Sequence, residues 1–137
     1  MIFVLDAWAL LAYLQGEEPA ASRVKTVLHK AEAGHVTLIA SLMNMGEVFY
    51  SIGRRQGEKA AEETLAELRQ LPLTMVAPSP ESVMQAARLK MHHALSYADA
   101  FAVVTAQAYE GTLLTGDPEL LQLTGIVALE ALHRSAR

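Results

Sequence analysis

Ile2-Phe3-Val4-Leu5 is an unbroken apolar run that stops at Asp6, the pattern of a strand covered on both faces in the middle of a parallel sheet. A helix is expected from Ala7 to about Gln15. Pro19 suits a first helical position, and Val24, Val27, Leu28 and Ala31 then recur at helical spacing until Gly34 stops the run. Val36 to Ala40 reads as a second strand. Ser41 caps a helix through about Arg55, and after Gly57 the segment Glu58 to Leu71 is amphipathic, with Ala61, Leu65 and Leu68 inward. Leu73 to Val76 is a short strand between Pro72 and Pro78, and a helix follows from about Glu81 to His92. Ser96 opens a largely apolar helix to Glu110, Thr112 to Thr115 is a strand, Asp117-Pro118 opens a short helix, and Ile126 to Leu129 is a final edge strand. Strands and helices alternate throughout, which predicts an α/β fold: an open parallel sheet of four to five strands with helices on both faces.

In such sheets ligands sit beyond the carboxyl ends of the strands, where the strand order reverses. All three aspartates of the chain fall near that edge. Asp6 ends the first strand, Asp117 stands two residues past Thr115, and Asp99 lies in the first turn of the helix opened by Ser96. Each has a structural explanation by itself. Asp6 and Asp117 suit N-caps, the latter followed by Pro118, and Ser96-Tyr97-Ala98-Asp99 has the form of a capping box with Asp in place of Glu.

Glu47 has no such explanation, because it lies in mid-helix, too far from Ser41 to cap. The apolar stripe of that helix is Leu42, Met45, Phe49 and Ile52, while Asn44, Glu47, Ser51 and Arg54 share another face. That polar stripe either faces solvent or aims Glu47 at the strand ends, with Arg54 and Arg55 farther along the same groove. A hard cation such as Mg²⁺ takes oxygen ligands and keeps several waters, so a few carboxylates from separate elements are enough to hold it.

Composition narrows the function classes. The 137 residues, 52% of them apolar, suit one domain over residues 1–137 with one substantial core. No apolar run is long enough to span a bilayer, and Asp6 interrupts the first one at once, so no membrane association and a cytoplasmic location are expected. The lack of cysteine excludes disulfides, thiolate metal sites and thiol nucleophiles. The net charge of -4 argues weakly against a nucleic-acid partner, but setting aside Asp6, Glu47, Asp99 and Asp117 leaves the remaining charges balanced, and bound cations would reverse the local sign.

Val4-Leu5-Asp6-Ala7-Trp8-Ala9-Leu10-Leu11, Glu47 in a helix opened by Ser41, Tyr97-Ala98-Asp99-Ala100 and Leu114-Thr115-Gly116-Asp117-Pro118-Glu119-Leu120, in that order, resemble the PIN-domain family and in particular the VapC-type toxins of bacterial toxin-antitoxin pairs. The resemblance implies a Rossmann-like sheet carrying a Mg²⁺- or Mn²⁺-dependent endoribonuclease site. By position, Asp6, Asp99 and Asp117 match the metal-binding aspartates and Glu47 an acidic residue that reaches metal directly or through water. Thr115 matches a hydroxyl residue that supports the site. The resemblance also implies an RNA substrate, a homodimer and a cognate antitoxin. Two positions depart from the pattern: Trp8 stands where Ser or Thr is common, and Gly116 where a basic residue is frequent.

Those departures motivate an alternative, a catalytically silent binding module acting through dimerisation or a protein partner. An aspartyl phosphatase built on Asp6 is disfavoured, because Trp8 occupies the place of its second acid. His92 and His93 face different ways on a helix and cannot easily share an ion; they suit the end of that helix. Trp8 is a packing residue or a base-stacking one, and Met43, Met45 and Phe49 belong to the core or to a surface for a partner helix.

Overall fold

The computed structural model describes residues 1–135. Five parallel strands, β1 (Ile2–Leu5), β2 (Thr37–Ser41), β3 (Thr74–Val76), β4 (Thr112–Thr115) and β5 (Ala128–Ala131), form one sheet in the order β3-β2-β1-β4-β5. The chain builds outward from β1 through β2 to β3, then returns to the other side of β1 for β4 and β5. The strand order therefore reverses between β1 and β4, whose carboxyl ends frame the crevice where ligands of open α/β sheets collect.

Among the described residues seven helices cover the sheet: α1 (Ala7–Leu14), α2 (Ala20–Glu32), α3 (Leu42–Gln56), α4 (Glu58–Arg69), α5 (Pro80–His92), α6 (Tyr97–Ala108) and the one-turn α7 (Pro118–Leu121). Alternation along the strands divides the core in two. Phe3, Leu5, Leu38, Ala40 and Leu114 pack under α1, α2 and α3, with Ala61 and Leu68 of α4 behind them. Val4, Ile39 and Leu113 pack on the opposite face against Ala102, Val103 and Ala106 of α6, closed at one end by Leu120 and Leu123. Phe101 and Val104 of α6 join Ala86 of α5 in a third cluster. From Asp99 to Ala106, α6 is buried on every side, which explains its nearly uniform apolar sequence.

The expected elements are present, with boundary shifts that have local causes. Pro19 is the N-cap of α2, which starts at Ala20. The last strand begins two residues later than expected, at Ala128, because Ile126 and Val127 donate to the Leu123 carbonyl and close the turn after α7. In α3 the inward stripe is Asn44, Met45, Val48 and Ile52. Leu42 is exposed, contrary to the expected stripe, and Asn44 is wholly buried, because the start of α3 meets α6 as well as the sheet. The Asn44 amide donates to the Ala98 carbonyl of α6 at 3.0 Å.

Candidate metal centre

The first strand runs directly into α1, and Asp6 at the junction caps that helix: Oδ1 accepts from the Ala9 amide at 2.8 Å. The second oxygen, Oδ2, accepts from the Thr115 hydroxyl at 2.5 Å across the β1–β4 junction. The Thr115 oxygen in turn accepts from the Asp117 amide at 3.0 Å. A relay from the Asp117 backbone through Thr115 to Asp6 thus locks the ends of β1 and β4 together. Thr115 and Asp6 are both fully buried.

Asp117 is also a cap, accepting from the Glu119 amide at 2.9 Å through Oδ1, with Pro118 as the first residue of α7. Asp99 follows the Ser96 cap of α6, whose hydroxyl accepts from the Asp99 amide at 3.1 Å. The Ser96 amide does not complete a capping box by donating back to the Asp99 carboxylate; that carboxylate faces the Ser96 hydroxyl and the Asp117 side chain.

Asp99, Asp117 and Glu119 each offer a carboxylate oxygen within 4.8 Å of the other two. Asp6 and Glu47 stand outside this tight trio but close enough for their charges to act on it. Burial, and after it the charges of Asp99 and Asp117, push the Asp6 carboxyl up to about 7 against the bonds from Thr115 and Ala9. Burial raises Asp99 as well, followed by the charges of Asp117 and Glu47. Glu47 is raised by burial and then by Asp117. All four acids expected from the sequence are therefore electrostatic neighbours, with Thr115 at their joint.

Glu119 was missed by sequence reasoning. Its signal was the Asp117-Pro118-Glu119 turn itself, which returns a carboxylate two residues past a cap to the cap's own side. Glu47 Oε1 is buried and has no hydrogen-bond partner. Among the described residues the ion pairs are Arg23–Glu130 and Glu17–Arg134, so neither lysine nor arginine neutralises the acids. An all-oxygen donor set, mutual repulsion and an orphaned buried carboxylate oxygen fit a hard divalent cation. They do not suit an aspartyl nucleophile, since both Asp6 oxygens are already bonded in the interior.

The histidine pair ends α5, with His92 as its last residue and His93 as its cap. Arg54 lies over the Tyr50 ring at 5.0 Å and Arg55 bonds Ser51 on the same helix, both exposed.

A family model described as PIN domain matches residues 3–126. No curated protein matches the sequence. Among solved structures, the chain is similar to one in VapBC2 from Rickettsia felis bound to a DNA fragment from their promoter: TM-score 0.75 and 15% identity, covering 97% of this chain and 100% of that one. Mycobacterium tuberculosis VapC20, a sarcin-ricin loop cleaving toxin, matches with TM-score 0.72 and 18% identity over 90% of this chain and 95% of that one. A chain of a toxin-antitoxin complex from Klebsiella pneumoniae matches with TM-score 0.69 and 17% identity, over 96% and 98% of the two chains.

Proposed function

The chain belongs to the PIN domain family, and from that premise we propose that it is a Mg²⁺- or Mn²⁺-dependent endoribonuclease, the toxin of a toxin-antitoxin pair. The observation that carries the proposal is the convergence of acids from β1, α3, α6 and α7 on the edge where the strand order reverses. Asp6, Asp99 and Asp117 would hold the cation, with Glu47 and Glu119 completing the donor set. Bound there, it supplies Lewis acidity at the phosphodiester and charge stabilisation at the leaving oxygen.

The chain's own residues do the remaining work. The Thr115 hydroxyl, donating to Asp6 and accepting from the Asp117 amide, fixes two carboxylates relative to each other without adding charge. Glu47 Oε1, free of any partner, orients the attacking water and takes its proton. The water oxygen bonds phosphorus, the bond to the leaving ribose oxygen breaks, and that oxygen takes up a proton from solvent.

The cytoplasmic setting belongs to the same reading; among the described residues no helix is long and apolar enough to cross a membrane. An antitoxin partner is supported by the toxin-antitoxin complexes among the similar structures and by an apolar cavity of about 400 Å³ between α3 and α4, lined by Met45, Phe49, Leu65 and Met75. A homodimer is proposed from the family resemblance alone.

Asp6→Asn and Asp99→Asn should keep the fold and lower Mg²⁺-dependent cleavage of a mixed RNA pool roughly a hundredfold or more, since even residues one shell out from a metal typically cost about 10–100-fold when lost. Undiminished cleavage by either variant refutes the site. Purified, partner-free wild type that yields no products with Mg²⁺ or Mn²⁺ favours the silent binding module instead.

A further inference from the structure

Gly116 stands between Thr115 and Asp117, and a Cβ on it would lie 2.3 Å from Cζ2 and Cη2 of Trp8. The indole therefore occupies the space that a side chain at position 116 would need. Over the same ring, at 5.2 Å from its centroid, lies the guanidinium of Arg134. The backbone carrying Arg134 is held at the carboxyl edge of the sheet: the Leu132 amide donates to the Thr115 carbonyl at 2.8 Å, the Ala20 amide to the His133 carbonyl at 2.8 Å, and the Ser135 amide to the Glu18 carbonyl at 3.0 Å. Arg134 also pairs with Glu17 at 3.2 Å, its side chain 52% exposed.

We propose that Arg134, laid on the Trp8 ring that packs against Gly116 between Thr115 and Asp117, is the residue that grips the RNA backbone, and that Glu17 is the counter-ion a phosphate displaces. The assignment rests on the nuclease reading given above. An anionic strand approaching converging carboxylates needs a fixed cation close by. Arg23 is committed to Glu130 through two bonds of 2.7 and 2.9 Å, and Arg54 and Arg55 sit on the last turn of α3, engaged with Tyr50 and Ser51. Only Arg134 among these is joined to the site, through Trp8 and Gly116. A ring under a guanidinium restrains its plane and leaves the N–H groups at its edge for bidentate contact with phosphate. An exposed pair such as Glu17–Arg134 is weak and is readily exchanged for a stronger guanidinium–phosphate contact. Trp8 is thus a positioning residue, acting through Arg134.

The test is binding of a short, fluorescein-labelled single-stranded RNA of mixed sequence, by anisotropy over a salt titration, in an Asp6→Asn background that spares the probe. Arg134→Gln should weaken binding about tenfold and reduce the slope of log affinity against log salt by about 0.7, the share of one phosphate contact on a single strand. Arg134→Lys should keep the slope while losing part of the affinity, and Glu17→Gln should tighten binding. With Asp6 restored, Arg134→Gln should raise KM more than it lowers kcat. Unchanged affinity and slope in a folded Arg134→Gln protein would overturn the assignment. Wild type that binds the probe without cutting it would instead end the nuclease reading and leave this one standing.

Discussion

At the scale of residues, the site is built from groups that each serve folding and chemistry together. A helix cap needs one carboxylate oxygen; Asp117 gives Oδ1 to the Glu119 amide and still belongs to the trio with Asp99 and Glu119. This is why the capping and ligand explanations, which compete when the sequence is considered alone, are compatible in the structure. Trp8 and Gly116, two separate departures from the family pattern in the sequence, are one packing unit. Gly116→Ala should therefore destabilise the protein by about 1–3 kcal/mol, the usual cost of forcing an extra carbon into a filled space. The urea midpoint measures it, and an added Trp8→Leu change should recover most of the loss; additive losses in the double variant would contradict direct contact.

At the scale of elements, α7 matters beyond its single turn. It carries Asp117 at its cap and Glu119 in its first turn, and Leu120 anchors it by full burial under α6 and the sheet. Leu120→Ala should cost about 2–5 kcal/mol in urea unfolding, as buried leucine truncations do. It should also weaken the Mg²⁺-induced rise in melting temperature, since the turn bearing two acids is no longer pinned; an unaltered rise would place the cation elsewhere. Helical periodicity found α3 and nearly its limits, but misassigned one side of it. The hydrophobic pattern reports a helix's burial against apolar neighbours, whereas Asn44 is buried by a hydrogen bond to α6, a contact that periodicity does not encode.

At the scale of the whole molecule, gathering acids at one edge makes stability depend on pH and on the cation. The Asp6 carboxyl stands at about 7 in the fold against 3.8 ordinarily, so between those values the folded state holds more protons than the unfolded one. The contribution of this carboxyl to the stability of the metal-free protein is fully present below that window and is lost as pH rises through it. Melting in EDTA should be lower at about pH 8 than at about pH 5, and Mg²⁺ should recover more of the loss at the higher pH, since only the ionised acids bind it. A midpoint that rises with pH in EDTA would contradict the crowding of these groups. The parallel α/β class, the strand that ends at Asp6 and the caps at Ser41, Ser96 and Asp117 were determined by the sequence itself, because apolar runs, periodicity and cap residues act within a few positions of the chain. The closeness of Asp99 to Asp117 and Glu119, the Thr115 relay to Asp6, the burial of Asn44 and the stacking of Arg134 on Trp8 were decided by tertiary structure alone. They join segments distant in the chain: the placement of β4 beside β1 brings Thr115 to Asp6, and the packing of α6 on α3 buries Asn44.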